Sequence, residues 1–108
     1  MIAKKYRLPV QDFIGKNGSV KKTRYFLFKS FSKELPYPRI GVVIGKKVFK
    51  SAAKRNVLKR KIYNYFREKE LLKKTNKDIL VIGLKDLCLL KDNHAIIDAL
   101  EKNYENII

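Results

Sequence analysis

Apolar side chains along the chain fall into separated runs whose periods differ. Arg24-Tyr25-Phe26-Leu27-Phe28-Lys29-Ser30-Phe31 reads as a strand, with Phe26 and Phe28 on one face and Tyr25, Leu27 and Lys29 on the other. Leu35-Pro36-Tyr37-Pro38 interrupts it, and Arg39 to Gly45 (RIGVVIG) reads as a second, mostly buried strand joined to the first by a polar hairpin-like connection. Ser51 is placed to cap a helix running to about Lys73, because neither Pro nor Gly interrupts that stretch. Within it Leu58, Ile62, Tyr65 and Phe66 recur at the spacing by which a helix packs on a sheet. Asp78 to Leu84 (DILVIGL) is a short apolar strand, and a last helix from about Asp92 to Tyr104 buries Ile96, Ile97 and Leu100. The first 23 residues, with Pro9, Gly15 and Gly18, carry too few apolar residues for more than a short or irregular segment. The order of strands, long helix, strand and helix predicts an α+β fold, an α/β sandwich, formed by one domain over residues 1–108.

Charge changes this picture from a fold to a partner. Against 26 Lys and Arg the chain has 10 Asp and Glu, a formal net charge of +16. Positive charge at this density repels itself in the free protein and displaces condensed counterions when it meets a phosphate backbone, so nucleic acid is the leading partner class. The excess is uneven. Residues 1–54 hold 14 basic and 2 acidic side chains, residues 55–108 hold 12 and 8. From Asp86 onward acids prevail, so that end is expected to face away from a polyanion. The apolar run Ile79 to Leu84 is far too short for a bilayer, no basic amphipathic helix carries a lipid-facing stripe, and Met1 to Val10 lacks a signal peptide's apolar segment. A cytoplasmic protein with no membrane partner is expected.

Between Lys46 and Arg67 stand Lys46, Lys47, Lys50, Lys54, Arg55, Lys59, Arg60, Lys61 and Arg67, with no acid among them. On a helix Asn56, Arg60, Tyr63 and Arg67 share one flank, with Lys59 beside them and the Leu58 stripe roughly opposite. A solvated helix gains from Glu–Lys pairs four residues apart. This one repeats positive charge uncompensated until Glu68 and Glu70, as expected of a surface completed by a polyanion. Arg offers planar forks to phosphates, Lys a mobile point charge, and Asn56 and Tyr63 hydrogen bonds to sugars, phosphates or bases.

Gly45-Lys46-Lys47-Val48, a short spacer, then Arg55-Asn56-Val57-Leu58-Lys59-Arg60 resembles the signature of the bacterial ribonuclease P protein family. Arg7-Leu8, Asp12-Phe13 and Arg24-Tyr25-Phe26-Leu27-Phe28 are similar to the family's N-terminal part. Val57 stands where the family usually has a second arginine, and Tyr63 where another basic residue is common. The resemblance implies an αβββαβα sandwich with about four strands and a left-handed crossover between parallel strands, against the usual hand. It implies a subunit that binds a catalytic RNA through the basic helix and the loop before it, at Lys46, Lys47, Lys50, Arg55, Asn56, Lys59, Arg60, Tyr63 and Arg67. It further implies a cleft for the single-stranded 5′ leader of precursor tRNA, at Phe13, Arg24, Tyr25, Leu27 and Lys29. A ring there can stack on an unpaired base. Ile14-Gly15-Lys16-Asn17-Gly18 supplies no second aromatic, so the first helix reads as truncated. A monomer in a one-to-one complex with the RNA is expected.

No catalytic or metal site is read in the polypeptide. One cysteine, Cys88 in Leu87-Cys88-Leu89-Leu90, reads as a small buried thiol, and one histidine, His94, as a surface residue. Carboxylates are too scattered to nominate an acid–base pair. No cofactor is expected on the protein itself, with Mg2+ at the RNA active site. The alternatives are a ribosomal or other structural RNA-binding protein, a DNA-binding protein with the long helix in a major groove, and a stand-alone nuclease. The acidic end at Glu101 to Glu105 counts against the first, the sheet-packing stripe against the second, and the missing ligands against the third.

Overall fold

A computed structural model describes residues 6–13, 15, 18–31, 38–69, 78–90 and 92–105. Its elements are α1 (Val10–Phe13), β1 (Ser19–Lys22), β2 (Phe26–Phe31), β3 (Arg39–Val43), α2 (Ala52–Glu68), β4 (Asp78–Gly83) and α3 (Asn93–Glu105), with a 3-10 turn at Lys85–Leu89 before α3. The order is αβββαβα.

The sheet runs β1-β2-β4-β3. Strand β4 pairs antiparallel with β2 (Phe28↔Val81) and parallel with β3 (Val42↔Val81), so α2 is the crossover joining two adjacent parallel strands. The hairpin-like connection expected between β2 and β3 is therefore corrected, because β4 inserts between them. Pattern shows that two runs are strands and says nothing of which strand lies beside which. The interruption at Leu35 to Tyr37 lies outside the described residues. Strand β1, with four exposed residues, has no apolar period and was not readable from its residues.

One face of the sheet carries Phe26, Phe28, Ile40, Val42, Ile79 and Val81, and α2 and α3 close over it. Helix α2 begins as expected, with the Ser51 hydroxyl accepting the Lys54 amide at 3.3 Å. It contributes Leu58, Ile62, Tyr65 and Phe66, all buried. Its last inward residue is Phe66, and Lys69 caps it by donating its amide to the Tyr65 carbonyl. The helix thus closes at Glu68 instead of reaching Lys73, and residues 70–77 lie outside the described set. Helix α3 adds Ile96, Leu100 and Tyr104, whose ring meets Phe66 edge-on at 4.9 Å between centroids. Burial alone pushes the Tyr104 phenol up to about 12.

The thiol of Cys88 is exposed, contrary to expectation. The 3-10 turn points Leu87 inward, and the next residue follows its tighter winding outward.

On the opposite face, residues paired across strands form three rows: Leu27, Ile82 and Val43; Lys29, Leu80 and Gly41; Phe31, Asp78 and Arg39. The N-terminal segment covers part of it, with the Leu8 amide donating to the Ile40 carbonyl at 2.8 Å. Gly41 permits this approach, since a Cβ there would lie 2.7 Å from the Val10 side chain. Asp78 is 1% exposed and accepts two bonds from Arg39, at 3.0 Å from Nε and 2.6 Å from Nη2. Removing one partner of such a pair leaves a desolvated charge. Asp78→Ala is therefore expected to cost about 3–5 kcal/mol, read by denaturant unfolding. A loss below about 1 kcal/mol would show that water already screens Arg39.

Candidate nucleic-acid interface

The loop Gly45 to Lys50 leaves β3 and turns into α2. Val48 is buried and anchors it, while Lys46, Lys47 and Lys50 stand exposed. Arg55 ties the loop to the helix, with Nη1 donating to the carbonyls of Phe49 and Lys50 at 2.8 Å each. Part of its fork is thereby used internally, so Arg55 presents the loop's lysines as well as its own charge. Along α2, Asn56, Arg60 and Arg67 are exposed and Lys59 is half-buried, together forming the basic flank expected from their spacing.

Tyr63 departs from that flank. It is buried, and its hydroxyl accepts the Val42 amide at 3.2 Å, which satisfies a donor on the outer edge of β3. At 100° per residue Tyr63 lies only about 140° from Leu58, so a ring that leans over the sheet edge is drawn into the core. Burial raises its pKa, and the Val42 bond and the positive charge of Arg7 work against that rise. Arg7, exposed and near Tyr63, thus extends the basic band from α2 towards the N-terminal segment. As a site residue it was missed, for it has no periodic partner in sequence.

On the open face Phe13, Leu27 and Lys29 are brought together, all half-buried. The floor includes Phe31, buried, whose ring meets Phe13 edge-on at 5.2 Å, and the guanidinium of Arg39 lies 5.5 Å from the Phe13 centroid. The alternation Leu27, Lys29, Phe31 could have found Phe31; Arg39 could not have been found, since its partner Asp78 is 39 residues away.

Tyr25 and Arg24 do not join this group. The Thr23 hydroxyl accepts the Phe26 amide at 3.1 Å while the Thr23 amide donates to the Phe26 carbonyl at 2.8 Å, closing the β1–β2 hairpin. Arg24 and Tyr25 occupy the bend, outside strand alternation, and Tyr25 packs against the helix-side core. Arg24 lies 5.2 Å over the Tyr25 ring and 3.5 Å from the Asp86 carboxylate.

The Ribonuclease P family model matches residues 10–107. The chain is similar to the ribonuclease P protein component of Desulforapulum autotrophicum, 31% identical over 99 residues, covering 90% of this chain and 83% of the relative. It is 44% identical over 85 residues to that of Blochmanniella pennsylvanica, covering 77% and 70%. Its structure superposes on that of the Staphylococcus aureus RNase P protein with a TM-score of 0.79 and 26% identity, covering 94% of each chain.

The two roles of α2 separate by mutation. Replacing Arg60 and Arg67 together by Ala should weaken binding to structured RNA and flatten the log–log salt slope by about 1.5–2, with stability held within about 0.5 kcal/mol. Tyr63→Phe should do the reverse, costing about 1–3 kcal/mol by stranding the Val42 amide while the slope stays put. Filter binding across a salt series and thermal melts of the same samples read both.

Proposed function

The chain belongs to the ribonuclease P protein family, the protein subunit that works with a catalytic RNA in tRNA processing, and on that premise we propose how its surfaces divide the work. The loop lysines Lys46, Lys47 and Lys50, with Arg55, Asn56, Lys59, Arg60 and Arg67, neutralise phosphates of the RNA subunit and so let two polyanions approach each other. The open sheet face takes the single-stranded 5′ leader of precursor tRNA. The observation that carries this is the half-buried Phe13 ring, set on Phe31 next to the row that holds Lys29 and Leu80, with the aliphatic row Leu27, Ile82 and Val43 beyond it. An aromatic edge with a cation nearby fits an unpaired nucleotide, whose base stacks while its phosphate meets charge.

Leader cleavage in this reading is chemistry of the RNA, with Mg2+ held there. Positioning is the task this reading gives to the side chains of the protein; among the described residues no group of three or more His, Cys, Asp or Glu could hold a metal ion. One protein serves one RNA. Among the described residues no helix is long and apolar enough to cross a membrane.

The reading is tested with a bacterial ribonuclease P RNA transcript. The protein alone is expected to leave precursor tRNA uncut; added to the transcript at near-physiological salt it should raise cleavage and favour precursor over mature tRNA. Phe13→Ala should narrow that preference by up to about 1–3 kcal/mol with assembly on the RNA intact. An unchanged preference in a folded, assembled variant would move the leader elsewhere.

A further inference from the structure

On the outside of the helix layer an apolar groove lies between the first two turns of α2 and the start of α3. Phe49, Ala53, Val57, Leu90 and Ile96 line it, and it holds about 420 Å³, within the range of small-ligand sites. Val57 is 40% exposed, an apolar residue on an otherwise basic stretch of helix. Its neighbours three and four positions along α2 are Lys54, Arg60 and Lys61, and Lys54 itself completes the groove wall. Arg55 holds the Phe49 backbone through its carbonyl, and the Phe49 ring, half-buried, packs against the helix-side core. Two polar residues finish the lining at the start of α3. Asp92 is occupied as a cap, its carboxylate accepting the Ala95 amide at 2.8 Å, while Asn93 brings an amide that can both donate and accept.

An apolar slot with an aromatic wall and with cations along its α2 side suits a ligand that is flat and apolar at its centre and negatively charged on the side that meets α2. A nucleobase on its sugar-phosphate strand has that form. The groove also continues directly from the basic flank assigned above to the catalytic RNA. We propose that it takes one unpaired base of that RNA, stacked on Phe49 and held at its edge by Asn93. The inference rests on the RNA-subunit reading of the flank and adds a base contact to its phosphate contacts.

Two neutral substitutions test it, measured with a transcribed bacterial ribonuclease P RNA: Ala53→Phe, which fills the groove from an exposed helix position, and Val57→Ser, which removes part of its apolar wall. Each should bind the transcript about tenfold more weakly, as expected for one lost stack. The salt slope should match that of the unaltered chain, because no charge has changed. In a pool of transcripts carrying random abasic sites, base loss at one unpaired nucleotide should impair binding to the unaltered chain and make no difference to Ala53→Phe. Thermal melts confirm that both variants fold, and Val57→Ser stands alone should Ala53→Phe not. Unaltered affinity in the folded variants would overturn the proposal and leave the groove to an acidic apolar peptide. Absence of any base-loss position that separates the unaltered chain from Ala53→Phe would overturn it as well. Failure of the unaltered chain to bind the transcript is a different result, and would overturn the reading of the flank itself.

Discussion

Strand β4 is buried on both faces and hydrogen-bonded along both edges, and this places every other element. A strand so enclosed leaves its backbone groups and, over Asp78 to Val81, its side chains out of water, so each of its four sides needs a cover. Strands β2 and β3 supply the edges, α2 and α3 one face, and the N-terminal segment part of the other. Asp78, at its first position, could not stay charged there without Arg39 across the ladder. The same ion pair then brings Arg39 over Phe13, so one demand of the core also shapes the mouth of the open face.

The net charge of +16 imposes a second constraint, because the fold must spread mutually repelling groups while packing an apolar interior. It does so by giving α2 two sides. Leu58, Ile62 and Phe66 are fully buried, whereas Asn56, Arg60 and Arg67 are exposed. Three further lysines are carried on the Gly45 to Lys50 loop, held out by buried Val48 and by Arg55. Apart from Glu68 at its last position, α2 carries no acid, whereas Asp98 and Glu101 lie on α3 and Asp92 caps it. The molecule therefore meets a polyanion with one side, and that polarity is a property of packing as much as of composition.

The outer edge of β3 shows how binding and stability share residues. Its Val42 amide is satisfied by Tyr63 and its Ile40 carbonyl by Leu8, so an edge that could pair with another strand is closed from two directions. Closing it draws Tyr63 out of the basic flank and sets Arg7 beside it. The band of positive charge runs from α2 to the N-terminal segment because each is tied by a hydrogen bond to the outer edge of β3.

By itself the sequence determined the things that depend on local period and on composition. Phe26 and Phe28 alternate as a strand must, Leu58 to Phe66 repeat as a sheet-packed helix must, Ser51 caps where expected, and nine cations without an acid name the class of partner. The Arg55-Asn56 and Lys59-Arg60 pairs carried the family, and with it the αβββαβα order. Tertiary structure alone decided which strands are neighbours, because β4 enters between β2 and β3 from 35 residues beyond β3 in the chain, a pairing that no local pattern encodes. It also decided the fate of residues at the margins of a face. Tyr63 turned inward because an edge amide needed an acceptor, Tyr25 left the sheet face because the hairpin bends there, Cys88 turned outward on a tighter helix, and Phe31 and Arg39 joined Phe13 across the ladder. Each was settled by hydrogen bonds and contacts between segments distant or differently wound in the chain, where periodicity carries no information.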